Sequence, residues 1–155
     1  MVDRVRACSL PACSALHSRR AATDFLDCYA VDVNMSAREA AEIIVQFPQW
    51  AEFLVALRGL LVAPFGIRAK GPAAPKKLGE FPVEVETERE VIAGFNDRHL
   101  DFRVAVISEG GTVSLATWVR RHNLGGRIYL GLIMPFHVLI ARNALSRVAR
   151  SASSV

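Results

Sequence analysis

The chain has 155 residues, 52% of them hydrophobic and 22% charged, with a formal net charge of +4. That length suits one domain around one core, and the composition excludes both an intrinsically disordered chain and a mostly solvated one. The charge is uneven: no Asp or Glu follows Glu109, whereas Arg120, Arg121, Arg127, Arg142, Arg147 and Arg150 do, so the last third offers a basic surface to an acidic partner, anionic lipid or nucleic acid.

The chain reads as a single domain over 1–155, of which residues 1–22 are a leader segment. Arg4 and Arg6 precede only Ala7, Cys8, Ser9 and Leu10 before Pro11, an apolar stretch too short for a signal peptide. Cys8, Cys13 and Cys28 are odd in number, with no Cys-x-x-Cys pair and no His at zinc spacing. This argues against a disulfide framework and a metal site, and it fits reduced thiols in a cytoplasm. Residues 24–33 alternate as a first strand, with Tyr29, Val31 and Val33 on one face and Cys28, Ala30 and Asp32 on the other.

Ser36-Ala-Arg-Glu39 is a capping box, in which the Ser hydroxyl accepts from the Glu39 N–H and the Glu carboxylate reaches back to the cap. It predicts a helix to about Gln46. Pro48 suits the first turn of a second helix, whose Trp50, Phe53, Leu54, Leu57, Leu60 and Leu61 form a core-facing stripe. Residues 66–80, rich in Gly, Pro, Ala and Lys, read as a long surface loop of the kind that borders binding sites. Strand signals then follow at Phe81–Glu86, Glu90–Phe95, His99–Ile107 and Thr112–His122, too closely spaced for helical crossovers, so they predict an antiparallel meander.

A long last helix runs from about Arg127 toward Arg150. Its apolar run, Ile128–Ala141, is interrupted by Pro135 and His137 and falls short of the roughly 20 residues that span a bilayer, so no transmembrane segment is expected. A wheel puts Tyr129, Leu132, Ile133, Phe136 and Ile140 on one face and Leu130, Met134, Val138 and Leu145 on the other, and a helix apolar on both sides is expected to be covered on both.

A two-residue turn at Gly110-Gly111 gives the last two strands a register. It sets Phe102 against Val119, Val104 against Thr117 and Val106 against Leu115 on an apolar face. On the other face it sets His99 against His122, Asp101 against Arg120 as an ion pair, and Arg103 against Trp118 as a cation–π contact. The bland reading is a solvated, self-complementary ladder. The catalytic reading makes His99 and Asp101 an oriented base, with Arg103 or Arg120 stabilising an anion.

Several segments carry a family resemblance: Leu10-Pro-Ala, Thr23-Asp-Phe, Phe47-Pro-Gln-Trp50, Leu57-Arg58, Pro64-Phe-Gly66, Asp97-Arg-His-Leu-Asp-Phe-Arg103, His122-Asn123, Gly126-Arg-Ile-Tyr-Leu130 and Pro135-Phe-His137. On these the chain resembles the uncharacterised bacterial family designated domain of unknown function 2867. It has Asn96-Asp97 where that family commonly has a double aspartate. The resemblance implies an α+β, START-like helix-grip fold, similar to polyketide-cyclase domains: a curved antiparallel sheet, two short helices after the first strand, and a long C-terminal helix held by the sheet. It carries no established catalytic residues. No Gly-x-Gly-x-x-Gly follows a strand, so no nucleotide cofactor is expected.

In such a fold a small, mostly apolar molecule would bind between Phe102, Val104, Leu115 and Thr117 on the sheet and Tyr129, Ile133 and Phe136 on the last helix. Trp50 or Phe53 would lie beneath. Arg121, on the apolar face of its strand, would meet an anionic group or snorkel to water. A second reading is an interaction module that homodimerises through Met134, Val138 and Leu145, and a third is a cyclase- or lyase-type enzyme. Aromatic and basic residues do not interleave as in nucleic-acid modules, so nucleic acid is not an expected partner, and neither metal nor cofactor is expected.

Overall fold

The structure, a computed structural model, describes residues 5–46, 49, 53, 57, 77–78, 81–96 and 99–153. Among them are strands β1 (Arg6–Ala7) and β2 (Phe25–Asp32), helix α1 (Ala37–Ile44), strands β3 (Lys77–Leu78), β4 (Phe81–Glu86), β5 (Glu90–Asn96), β6 (Leu100–Glu109) and β7 (Thr112–Arg121), and helix α2 (Leu124–Ser153). The strands lie in the order β1-β2-β7-β6-β5-β4-β3, every neighbour antiparallel. The chain is therefore α+β, with its first long strand hydrogen-bonded to its last.

Local sequence explains the elements. Gly110 and Gly111 take φ of 58° and 77°, the pair of positive values that a type I′ hairpin turn requires. The register follows from them: Phe102 opposes Val119, Val104 opposes Thr117 and Val106 opposes Leu115. Ser36 and Glu39 form both bonds of the capping box. Asn123 caps α2, its side-chain oxygen accepting from the Gly126 N–H at 3.0 Å. A Cβ on Gly126 would stand 2.4 Å from the His99 carbonyl oxygen, so the absent side chain lets the helix start against β6.

The inner face of the sheet packs on the helices. Val31, Val91, Val106, Val113 and Leu115 bury against Ala40, Ala41 and Ile44 of α1 and Ala141, Leu145 and Val148 of α2. Nearer the start of α2, Leu100 and Val119 bury with Tyr129 and Leu130. The outer face is also covered, because Leu10 and Leu16 bury with Cys28, Ile92, Ala105, Ile107, Ala116 and Trp118. Of the segment that the sequence suggested was only a leader, Arg6–Ala7 add an edge strand and the residues from Leu10 to Leu16 form a third layer. A buried carboxylate fastens it: Ser14 Oγ and the Ala15 N–H (2.9 Å) both donate to Glu90.

Two expectations change. Of the second helix, Gln49, Phe53 and Leu57 are described and helical, but Phe53 and Leu57 are exposed rather than core-facing; Trp50, Leu54, Leu60, Leu61 and most of loop 66–80 lie outside the described residues. The phase of α2 also differs. Leu145, expected on a free dimer face with Met134 and Val138, is fully buried, while Leu132 and Phe136 are exposed. The small Ala141 and Ala144 draw that turn onto the sheet, a weighting that a wheel of uniformly apolar residues does not contain. As one uninterrupted helix, Leu124–Ala152 is also long and apolar enough to cross a membrane by length and composition alone, which the shorter run Ile128–Ala141 is not.

If Glu90 anchors the N-terminal layer, Glu90→Ala should cost about 2 kcal/mol in urea denaturation, since hydrogen bonds to a charged group are worth about 1.5–3 kcal/mol. Limited trypsin digestion should then cut after Arg19 or Arg20 sooner than in the parent protein.

Candidate functional site

The alternation of β2 sends Phe25, Asp27, Tyr29 and Val31 to the inner face, and its register sets Asp27 opposite Thr117. An aspartate there faces the helix. His137 of α2 meets it, with Nε2 2.9 Å from Asp27 Oδ2, and the two side chains are only 21% and 17% exposed. The Phe25 ring stands edge-on to the imidazole at a centroid distance of 6.4 Å. Asp27 Oδ1 is buried and accepts no hydrogen bond among the described residues. A buried acceptor without a donor costs about 1–3 kcal/mol, so this oxygen is a place where a donor would be held firmly.

The surroundings divide the inner layer. Toward the C-terminal end of α2 the residues facing the sheet are buried (Ala141, Ala144, Leu145, Val148), as are Tyr129 and Leu130 near its start. Between them Ile133, Met134, His137 and Val138 are half-buried, and so are the sheet residues Phe25, Asp27, Tyr29, Phe102, Val104 and Thr117. Two tightly packed stretches are thus separated by an interval of half-buried apolar side chains that holds one carboxylate–imidazole pair. Phe102 also joins Phe81 and Phe95 in edge-to-face contacts, with centroids at 5.3 and 4.7 Å, which stiffen this part of the sheet.

The outer end of the sheet holds the charged ladder, and it is only partly solvated: Arg103 is buried, whereas the Arg120 and His122 side chains are 40% and 37% exposed. Arg103, its side chain 9% exposed, donates to Glu84, to Asn96 Oδ1 at 2.9 Å and to the Phe102 carbonyl at 2.7 Å. It lies over Gly94, where a Cβ would stand 2.2 Å from the Phe102 oxygen. Asp24, its side chain 3% exposed, pairs with Arg120 at 3.1 Å and accepts from Trp118 Nε1 at 2.9 Å and the Ala21 N–H at 2.9 Å. The Arg19 and Arg120 guanidinium carbons stand 5.6 and 5.2 Å from the Trp118 ring centroid.

The expected pairings are accordingly replaced. Asp101 meets His122 at 2.9 Å rather than Arg120; Arg19 and Arg120, not Arg103, lie over Trp118. The His99 Nδ1 lies 2.9 Å from Asn123 Nδ2 and 3.2 Å from its Oδ1, so the residue before the helix contacts this ring. The turn-derived register is correct, but the N-terminal layer and β4 supply Asp24, Arg19 and Glu84, and these outcompete the cross-strand neighbours. The ladder is a partly buried ion-pair and hydrogen-bond network that joins layers.

Among the other predicted site residues, Phe102, Val104, Thr117 and Ile133 are half-buried in this interval, while Leu115 and Tyr129 are buried beside it. Phe136 and Phe53 are exposed, and Trp50 lies outside the described residues. Arg121 is exposed at the sheet edge, where Nη2 donates to the Thr23 carbonyl at 2.6 Å. Asp27 and His137 were not singled out from the sequence. The available signals were an aspartate on the face of β2 otherwise carrying Tyr29 and Val31, and a histidine inside an apolar helix. Among the described residues, no three His, Cys, Asp or Glu side chains gather as metal ligands.

Compared with known families, residues 20–144 match the family described as "Protein of unknown function (DUF2867)". The chain belongs to the DUF2867 family. That match spans β2 through most of α2, and so includes Asp27, His137 and the half-buried side chains around them. No curated protein and no solved structure matches the chain.

Burial pushes the pKa of the Asp24 carboxyl up, but Arg120, the Ala21 N–H and Trp118 together outweigh it and hold the carboxyl below its ordinary range. A depressed folded-state value stabilises the protein above the unfolded value of about 3.9, and that contribution is lost as pH falls through the folded value. Asp24→Asn should therefore cost about 1–3 kcal/mol at neutral pH. Its denaturation midpoint should converge on that of the parent below about pH 4.

Proposed function

We propose that this DUF2867 protein binds a small, mostly apolar molecule bearing one hydroxyl or N–H donor, seated between the sheet and α2 with its donor on Asp27 Oδ1. One observation carries the reading: a buried carboxylate oxygen without a partner among the described residues opens into an interval of half-buried apolar side chains between two closed stretches of core. Sites for small molecules are commonly apolar with sparse polar groups that fix orientation. The START-like helix-grip resemblance supports the same place, since such folds hold ligands between a sheet and a C-terminal helix. An anionic ligand, which Arg121 would have favoured, fits less well beside Asp27, with Arg121 turned to the Thr23 carbonyl.

A second reading is favoured by the same pair. A carboxylate fixed on one imidazole nitrogen orients the ring as a general base, so cyclase- or lyase-type chemistry, if this protein has any, belongs to Asp27 and His137 rather than to His99 and Asp101. The chemistry would be proton transfer on the bound molecule.

Calorimetric titration with 1-naphthol, 1-methylnaphthalene and 1-naphthoate tests the proposal. The hydroxyl compound should bind best, and Asp27→Asn should weaken it about tenfold, the cost of losing a charged acceptor. Val104→Phe should fill the proposed site and abolish binding of all three. Equal affinity for naphthol and methylnaphthalene, or an unchanged affinity in both variants, would sink the proposal.

A further inference from the structure

Helix α2 has two apolar sides, and the sheet uses one. Leu124, Ile128, Leu132 and Phe136 follow one another at four-residue spacing, and with Leu139 they form an outward stripe in which each side chain is 44–70% exposed. Single exposed apolar residues are ordinary, but five on one side of one helix make a patch of the kind that meets another surface. Three- and four-residue steps continue the stripe through Leu139 to Arg142, Ser146 and Arg150, so basic residues follow the apolar ones along the helix; Arg142 also donates to the Val5 carbonyl at 3.1 Å and stands 5.5 Å from the Tyr29 ring centroid. Arg121 and Arg127, near the other end, are also exposed. No carboxylate side chain follows Glu109 to offset them.

We propose that this outward side of α2 docks on an anionic lipid bilayer, lying in the interface with its apolar stripe among the acyl chains and its arginines on lipid phosphates. Charge complementarity selects this occupant over a second copy. Packed antiparallel, two such helices would bring the Arg142 end of one to the Arg121 and Arg127 end of the other. Packed parallel, they would set Arg142 against Arg142. Either arrangement places like charges together with no carboxylate on the helix to separate them. A lipid headgroup layer supplies negative charge beside an apolar phase, the order this stripe presents. The helix lies on the bilayer rather than across it, because its inner side carries the Asp27–His137 contact and the buried Leu145 and Val148, and spanning would strip these from the sheet.

The test is flotation of the full chain with vesicles. Phosphatidylcholine containing about one-third phosphatidylglycerol should recover the protein, and pure phosphatidylcholine at least about tenfold less, with recovery falling as salt is raised. The combined change Leu132→Glu and Leu139→Glu should lower recovery at least about tenfold with an unchanged circular-dichroism melt, and the milder Ile128→Ser should act in the same direction. Recovery that is absent on anionic vesicles, equal on neutral ones, or indifferent to these substitutions overturns the proposal. So does a sedimenting dimer that the Glu pair dissolves, which would assign the stripe to a second copy.

Discussion

The register set at Gly110-Gly111 is the constraint on which the rest depends. With both glycines at positive φ, β6 and β7 can pair in one way, and side-chain alternation then assigns every residue of both strands to a face. A slip of one residue would turn Phe102, Val104 and Val106 outward and bring Asp101 and Arg103 against the helix. Because β7 also pairs with β2, the same register fixes Asp27 opposite Thr117, and through it the point where His137 lands.

A sheet apolar on both faces needs two coverings, and this one has two unlike ones. Outside, the N-terminal segment is short and carries few apolar side chains, so polar anchors complete the seal: Glu90 holds Ser14 and Ala15, while Asp24 gathers Arg120, Trp118 and Ala21. Inside, α2 is long and mostly apolar, and it closes tightly wherever alanine or leucine faces the sheet. At His137 the side chains are only half-buried. An imidazole that must reach a carboxylate cannot also fill space as leucine would, so on the proposed reading polarity and room for a ligand occur together.

What the sequence made legible was local or adjacent: the capping box at Ser36 and Glu39, the turn glycines, and the strands alternating away from them. Residues far apart along the chain were not legible. Ser14 and Glu90 share no periodic signal, and neither do Asp27 and His137; each looks like an isolated polar residue until the fold joins them. The charged ladder shows the intermediate case. Its facing pairs were right as backbone neighbours, yet the ion pairs went elsewhere, because a carboxylate buried by another layer, Asp24, holds Arg120 more firmly than the half-buried Asp101 across the strand. The helix phase failed for another reason: with apolar residues all round α2, only the neighbouring layers decide which side is inside.

The central proposal is that the inner layer admits a small molecule at Asp27–His137 and is closed on either side. Pressurising crystals of the protein with xenon tests it most directly, since xenon enters apolar space that side chains leave unfilled. The account predicts xenon density in contact with Phe25, Thr117 and Ile133, and none beside Leu145 or Leu130. Density absent from this interval, with Ile133 and Val138 packed directly on Thr117 and Val104, would contradict it.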